Sequence, residues 1–221
     1  MPETILVTGF PSFVARKMVE ELAREPDTTI YCVVRQKSLL EARAVLDVLP
    51  LEQRRRILVI EGDAAAIDLG LSGAELASLA PKLDYIHHLA QVSYMGAETQ
   101  LATTVNVGGA REIVELASLC PNLKCLVYHS TAQVSGDRKG LVLENELDEG
   151  QSFRNAVEAT LARGERIMRS KMGKIPIAIM RPTIVVGDSK TGEVDRFAGP
   201  YFLILLIVTS PPDIPLPLPG R

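Results

Sequence analysis

The sequence predicts an α/β fold in which one doubly wound parallel sheet is covered by helices on both faces. Two observations predict it. Short apolar segments rich in β-branched residues alternate along the chain with segments whose apolar residues recur at helical spacing. The first strand, Thr4 to Thr8, turns at Gly9 directly into the first helix. Alternation of this kind requires right-handed crossovers, which place helices on both faces of a parallel sheet.

Six segments have the length and composition of buried strands. They are residues 4–8, 28–34, 56–60, 84–90, 123–129 and 175–180. Helical spacing predicts helices over 13–24, 38–50, 100–119 and 152–172. Pro182 follows the last strand, and proline cannot continue a central ladder. A turn-rich loop, an apolar segment at 201–208 and a proline-rich tail at 211–219 complete the chain.

Composition excludes several classes of function. The chain has 221 residues, 47% of them hydrophobic and 23% charged, which is typical of one globular core. A net charge of −3 provides no general attraction for nucleic acid or an anionic membrane. The three cysteines lack metal-site spacing and favour a reduced cytoplasmic compartment. A strand begins almost at Met1, so we expect no signal peptide, and residues 201–208 are too few for a membrane span.

The turn after the first strand has the form of a phosphate site. A strand that feeds a tight turn and the exposed amides of a helix N-terminus can hold a phosphate or pyrophosphate. The glycine pattern is incomplete, however: Gly9 is followed by Ser12 and Ala15 where a G-x-x-G-x-x-G spacing has glycines. Ala15 still permits close packing of helix on strand. Ser12 is the more serious change, because the second glycine lets the backbone approach the pyrophosphate.

Several motifs occur in an order and spacing that together resemble one known family. They are Thr8-Gly9-Phe10-Pro11, His88-Leu89-Ala90, Asn106-Val107-x-Gly109, Ser130-Thr131-x-x-Val134-x-Gly136, Arg181-Pro182-x-Ile184-Val185-Val186-Gly187-Asp188 and Gly199-Pro200-Tyr201. On these residues the chain resembles an extended short-chain dehydrogenase/reductase, in the branch of thioester (carboxyl) reductases and fatty acyl-CoA reductases. The resemblance implies a Rossmann-type NAD(P)-binding domain over residues 1–195. Residues 196–221 would begin a C-terminal substrate or packing segment.

The resemblance further implies that NADP(H) lies across the carboxyl ends of the strands, where strand order reverses. Arg35, with Lys37 beside it, stands where an adenosine 2′-phosphate would lie, and the acidic residue that would favour NAD is absent; the alternative is a solvated arginine. Asp63 would approach the adenine, or else cap a loop. His87 and His88 are interpreted as strand residues, and no metal is expected. The implied cofactor-binding residues are Thr8, Gly9, Phe10, Pro11, Ser12, Phe13, Arg35, Asp63, Ala90, Asn106 and Pro182.

The catalytic residues of the family are incomplete in this chain. In the family a tyrosine donates a proton, a lysine four residues later lowers the pKa of that tyrosine, and a Ser or Thr hydroxyl orients the carbonyl. The hydroxyl position is Thr131, beside Ser130. The tyrosine and lysine positions are Val157 and Leu161, and no Tyr-x-x-x-Lys occurs anywhere in the sequence. Neither aliphatic side chain can move a proton or bind a ribose hydroxyl.

Three functions therefore remain open. The first is a pseudoenzyme that binds NADP(H) and acts as a sensor, a regulatory subunit or a partner of an active paralogue. The second is a working NADP-dependent oxidoreductase that reduces a thioester or other carbonyl with a non-standard proton donor. His129 and Glu158 are candidate substitutes for that donor, as are the hydroxyls of Tyr94, Tyr128 and Tyr201, although ordinary packing explains each. The third is a scaffold that binds no nucleotide. The sequence leaves a homodimer open.

Overall fold

The structure is a computed structural model that describes residues 2–94, 96–194 and 200–211. Contacts divide the chain into two units after Thr183, and each is described by itself. The first unit contains one parallel sheet of six strands in the order β3-β2-β1-β4-β5-β6. The strands are β1 (Glu3–Thr8), β2 (Thr28–Val34), β3 (Ile57–Glu61), β4 (Tyr85–His88), β5 (Cys125–His129) and β6 (Ile177–Met180). The prediction of a doubly wound parallel sheet is confirmed.

Helices connect successive strands of the first unit. They are α1 (Phe13–Leu22), α2 (Leu39–Asp47), α3 (Leu51–Arg54), α4 (Gly73–Leu79), α5 (Thr99–Ala102), α6 (Gly109–Ser118) and α7 (Ala156–Lys171). A π-helical segment, Thr103–Gly108, joins α5 to α6, so the predicted helix at 100–119 is one continuous but irregular stretch. The predicted helix at 152–172 starts later, at Ala156, because the side chain of Asn155 accepts a hydrogen bond from the amide of Glu158 and caps it.

The core has one layer on each face of the sheet, since successive strand residues point to opposite faces. Ile5 and Val7 of β1 belong to a cluster that α1 and α2 cover, whereas Leu6 belongs to a cluster that α4, α6 and α7 cover. Gly164 lets α7 lie close to Tyr128 of β5 and to the π-helical segment, because a Cβ at this position would meet the Tyr128 hydroxyl and would lie 2.7 Å from the carbonyl oxygen of Asn106. The two layers leave the carboxyl ends of the strands as the open edge.

The second unit contains helix α8 (Pro200–Thr209), which lies in the segment predicted to be apolar. Its residues are apolar on every side, and not one of them is buried. The predicted domain boundary at residue 195, Gly199 of the last family motif and nearly all of the proline-rich tail lie outside the described residues. No helix in the described ranges combines the length and apolar character required to cross a bilayer.

Candidate functional site

The strand register brings the predicted site residues to one edge of the sheet. Thr8, the last residue of β1, pairs with Val33 of β2 on one side and with His88 of β4 on the other. The loops that follow these three strands are therefore neighbours, and they begin at Gly9, Arg35 and Leu89. The chain moves outward from β1 through β2 to β3, then returns to place β4 on the opposite side of β1. In open α/β sheets this reversal is where ligands bind.

The turn between β1 and α1 has the backbone geometry of a phosphate site. Gly9 has a φ of +87°, and a Cβ there would lie 2.7 Å from the carbonyl group of Leu89, so the position requires glycine. The amide of Ser12 donates to the carbonyl oxygen of Gly9 at 3.0 Å and closes the turn. The exposed Ser12 side chain makes no capping hydrogen bond, and α1 has no acidic residue in its first turn. The first amides of α1 are thus uncapped by any side chain in the described chain.

Two residues predicted to bind the cofactor face inward. Thr8 is fully buried, and its hydroxyl accepts hydrogen bonds from the amides of Leu89 and Ala90, each at 3.2 Å. The same hydroxyl lies 3.0 Å from Nδ1 of His88. Phe10 is 4% exposed and packs in the core cluster under α1. Thr8 therefore fastens the loop after β4 to the end of β1, while Ser12 is exposed and Pro11 and Phe13 are half-buried at the surface of the turn.

The residues predicted to lie near the adenosine of the cofactor differ in their exposure and in their hydrogen bonds. Arg35 follows β2 directly and is exposed, as is Lys37, and the described residues give the Arg35 guanidinium no ion-pair partner. Asp63 is half-buried after β3, and its Oδ1 accepts the amide of Ala65 at 3.0 Å. Asp63 thus caps its own loop, which is the alternative to a contact with adenine. Ala90 is half-buried beside the glycine turn.

Asn106 connects the loop after β4 to α7. The side chain is fully buried in the π-helical segment. Its Oδ1 accepts the amide of Val92 at 2.8 Å, and its Nδ2 donates to the carbonyl of Val92 and to Oγ1 of Thr160, both at 3.0 Å. Both donors and the carbonyl acceptor of the amide are therefore in use. Asn106 thereby fixes the loop after β4 against α7. We call the space at the carboxyl ends of the strands, between the Gly9 turn and α7, the crevice.

Thr131 and Pro182 follow β5 and β6. The half-buried Thr131 starts a short 3-10 turn, Ala132–Ser135, and its Oγ1 accepts the amide of Gln133 at 3.2 Å. The carbonyl of Pro182 accepts the amide of Ala132 at 2.9 Å, which holds the two strand ends together. Thr131 therefore keeps its hydroxyl proton available at the same edge as Gly9.

The face of α7 that carries the family's tyrosine and lysine positions is part of the core. Val157 and Leu161 are 3% and 2% exposed. Both belong to a third cluster, which we call the α7 cluster, whose buried members are all apolar. They are Val92, Ala102, Val134, Leu147, Val157, Leu161 and Ala162. At these two positions α7 therefore presents aliphatic side chains, which are neither proton donors nor cations.

Sequence reasoning missed Glu165, one turn after Leu161. This carboxylate has no exposed surface and accepts hydrogen bonds from Ser130 at 2.6 Å, Arg169 at 2.7 Å and Arg181 at 2.6 Å. Burial acts to raise the pKa of Glu165, but the hydrogen bonds from Arg181, Ser130 and Arg169 outweigh it and lower that pKa overall. The only sequence signal was the i, i+4 spacing of Glu165 and Arg169.

The candidate replacement donors lack the position or the pKa that an acid catalyst needs at this site. Glu158 Oε2 accepts the amide of Arg154 and completes the cap of α7. Nε2 of His129 lies 3.3 Å from Nδ1 of His87, and burial followed by repulsion from His87 lowers the pKa of His129 to about 4. Tyr128 is fully buried, and burial raises the pKa of its hydroxyl. Of the other two tyrosines, Tyr94 is exposed, and the Tyr201 hydroxyl of the second unit accepts the amide of Gly187.

We searched the described residues for a second candidate site, as a metal cluster or as a cavity. Across the described ranges, no group of three or more His, Cys, Asp or Glu side chains is arranged to hold a metal. Two open cavities, of about 420 and 330 Å³, lie against α4 and are lined mostly by apolar side chains. Neither is lined by the glycine turn, Thr131 or α7. The strand ends therefore remain the candidate site on chemical grounds.

Comparison with known proteins identifies the family of the chain. Residues 7–210 match the sequence model of an NAD-binding family described as "Male sterility protein". Fatty acyl-CoA reductase wat of Drosophila melanogaster is 26% identical over 91% of this chain and 47% of its own length. A linear gramicidin synthase of Brevibacillus parabrevis is 29% identical over 88% of this chain and 4% of its own length. The chain spans about half the length of the fatty acyl-CoA reductases it matches.

Solved structures give the same result. The terminal R domain of the myxalamid PKS-NRPS pathway superposes with a TM-score of 0.78 and 31% identity, over 87% of this chain and 51% of that domain. A UDP-glucuronic acid 4-epimerase of Bacillus cereus, in complex with NAD, matches at 22% identity with a TM-score of 0.66 over 83% of this chain and 57% of its own, which supports the fold alone. The chain belongs to the male sterility protein family, the NAD(P)-binding branch of the extended short-chain dehydrogenases/reductases that includes fatty acyl-CoA reductases and thioester reductase domains.

Proposed function

We propose that this chain binds NADP(H) at the carboxyl edge of its sheet and does not reduce carbonyls by the route of its family. It would act as a nucleotide sensor, a regulatory subunit or a partner of an active reductase. The observation that carries the proposal is the burial of Val157 and Leu161 in the apolar α7 cluster. A tyrosine and a lysine at these positions are what the family uses to deliver a proton.

The residues present fit the diphosphate and adenosine parts of the cofactor. The turn at Gly9 and the first amides of α1 would hold the pyrophosphate. Arg35 and Lys37 are exposed cations at the end of β2, where they would meet a 2′-phosphate, and this favours NADP over NAD. Ala90 and Asp63 would border the adenosine. When bound, NADPH supplies a hydride donor.

The chain offers little to the other half of the reaction. A carbonyl that accepts a hydride develops negative charge on its oxygen and needs a proton and a hydrogen-bond donor. Thr131 can donate one hydrogen bond from its hydroxyl, which orients a carbonyl but does not replace an acid with a lowered pKa. Loss of a positioned acid costs roughly 10²–10⁴ in rate. We therefore expect turnover of an acyl thioester or aldehyde to be absent or slow by that factor.

The names of the relatives indicate a class of substrate. The name fatty acyl-CoA reductase specifies an acyl thioester as that relative's substrate, and the resemblance to thioester reductases implies the same substrate class. An acyl thioester is accordingly the substrate class we propose for any ligand that shares the site with NADP(H). A homodimer, or association with an active paralogue, would provide a route for bound nucleotide to influence catalysis elsewhere.

The test is a titration followed by a turnover measurement. NADPH and NADH are titrated into the chain by calorimetry, and NADPH is then incubated with a panel of acyl thioesters and aldehydes. We expect NADPH to bind and to persist. Consumption of NADPH that Thr131→Ala abolishes would instead establish an active reductase. Failure of both nucleotides to bind or to raise the melting temperature would leave a scaffold. The variant Arg35→Ala should weaken the binding of NADPH more than that of NADH. Its control is Arg111→Ala, which replaces an exposed arginine on α6.

A further inference from the structure

We infer that the site recognises the phosphorylated adenosine half of its ligand and that a nicotinamide half adds little to binding. The ligand class is an adenosine 5′-diphosphate that carries a further phosphate on its ribose. This inference rests on the proposed function, since it concerns the same crevice. It differs from the family's use of the site, in which the nicotinamide ring is the reacting group.

The adenosine side of the crevice retains groups that recognise phosphate. Gly9 keeps the turn open, and the backbone amides that begin α1 are uncapped by side chains in the described residues. Arg35 and Lys37 add two exposed positive charges at the next strand end. Amides and cations of this kind bind anionic oxygens through charge-assisted hydrogen bonds, which are the strong ones. Phosphate groups would therefore supply most of the binding free energy.

The opposite side has lost the groups that would hold a nicotinamide ribose. In the family's register the ribose-binding lysine is Leu161, which is 2% exposed in the α7 cluster. Two buried polar side chains there are already paired: Asn106 binds Val92 and Thr160, and Ser130 donates to Glu165. Thr131 keeps a hydroxyl proton for which the described residues provide no acceptor.

The polar groups of a nicotinamide riboside bound on that side would give up hydrogen bonds to water and lie against apolar side chains. Each polar group left without a partner on burial loses its hydrogen bonds to water without replacement. Its ribose hydroxyls and carboxamide would meet the hydroxyl of Thr131 and the aliphatic side chain of Leu161, so the gain from contact and the loss from desolvation approximately cancel. The chain should then bind NADP⁺ and NADPH equally well, because the two differ only in the nicotinamide ring. Such a protein reports the amount of the nucleotide and not its redox state.

One ligand chemistry here has two sources. NADP(H) and coenzyme A both contain adenosine 5′-diphosphate with an extra ribose phosphate, at the 2′ position in NADP(H) and the 3′ position in coenzyme A. Arg35 and Lys37 lie at the strand end that a phosphate in either position would approach. The titration must therefore include both.

The experiment is calorimetry on the full chain with six probes: NADP⁺, NADPH, 2′-phospho-ADP-ribose, ADP-ribose, nicotinamide mononucleotide and coenzyme A. We expect NADP⁺, NADPH and 2′-phospho-ADP-ribose to have dissociation constants within about threefold of one another. ADP-ribose should bind at least about tenfold more weakly, and nicotinamide mononucleotide should show no binding. Coenzyme A that binds as tightly as 2′-phospho-ADP-ribose, and depends on Arg35, identifies the 3′-phosphate source; its failure to bind identifies NADP(H).

The inference and the proposed function fail in different ways. If NADPH binds about tenfold more tightly than 2′-phospho-ADP-ribose, or than NADP⁺, the inference is overturned while nucleotide binding stands. If none of the six probes binds, both are overturned. The double variant Val157→Tyr with Leu161→Lys should create a preference for NADP⁺ over its fragment, and Leu161→Met is its apolar control. Because a lysine at this buried position could unfold α7, the comparison of probes on the unaltered chain decides the question.

Discussion

The two sides of the crevice have diverged in opposite ways. On the side of β1 and α1, the backbone geometry needed to hold a phosphate remains, with Gly9 at its centre. On the side of α7, Val157 and Leu161 belong to the core, at the positions where the resemblance places the family's tyrosine and lysine. The supports of α7 are nevertheless intact, since Asn106 binds Thr160 and Glu165 binds Arg181. If the proposed function is correct, the chemistry of a site can be lost while its architecture is kept.

The largest effect should come from the support of α7. Glu165→Gln removes a fully buried charge that pairs with Arg169 and Arg181, and breaking a buried pair of this kind costs about 3–5 kcal/mol. We expect urea denaturation to report that loss, with Glu115→Gln on the exposed surface of α6 as the matched control. Equal stability of the two variants would show that the ion cluster contributes little and that α7 is held by apolar packing alone.

The next effect tests whether the α7 face is now core. Leu161→Ala should destabilise the chain by about 2–5 kcal/mol, because the side chain is 2% exposed and its removal leaves a cavity. Leu161→Met, which conserves volume, should cost less than about 1.5 kcal/mol. Both values come from chemical denaturation. A loss under about 0.5 kcal/mol for the alanine variant would place Leu161 at a loosely packed surface, and the family's lysine site would then still be accessible.

Features that depend on residues close together in the chain could be predicted from the sequence, whereas contacts between residues far apart in the chain could not. The alternation of strands and helices is local, and so the sheet was predictable. The prediction that Val157 and Leu161 stand at the tyrosine and lysine positions depends on the resemblance to the family, because no local pattern in α7 marks them. The inward orientation of Phe10 was not predictable from its motif. The same holds for the bond of Asn106 to Thr160, 54 residues away, because tertiary packing decides both.

A third effect concerns the histidines of β4 and β5, which lie beneath the crevice between its two sides. Burial lowers the pKa of His88 to about 3 and, with repulsion from His87, that of His129 to about 4. The folded chain therefore keeps these rings neutral at a pH where the unfolded chain, with a pKa near 6.5, is protonated. Unfolding takes up protons, so stability should fall as the pH drops below about 6.5, by up to about 1.4 kcal/mol per pH unit for each histidine.

The variant His129→Gln should reduce that slope. We expect its melting temperature to decline less than that of the unaltered chain between pH 7 and pH 5, since one proton-accepting group is removed from the unfolded state. His87 shares the effect, because burial lowers its pKa too and its ring contacts His129. An unchanged slope in the variant would mean that carboxylates, and not the histidines between the two sides, govern acid stability.

The smallest effect belongs to the glycine turn. Ser12 is exposed and makes no capping hydrogen bond, so Ser12→Gly should change stability by only a few tenths of a kcal/mol. Glycine at this position also lets the backbone approach a pyrophosphate more closely, and we therefore expect the variant to bind NADPH a few-fold more tightly by calorimetry. Ser12→Thr, which adds a methyl group, should weaken binding instead. If the two variants bind NADPH with equal affinity, the pyrophosphate does not lie on this turn. Neither side of the crevice would then bind its part of the cofactor in the way proposed.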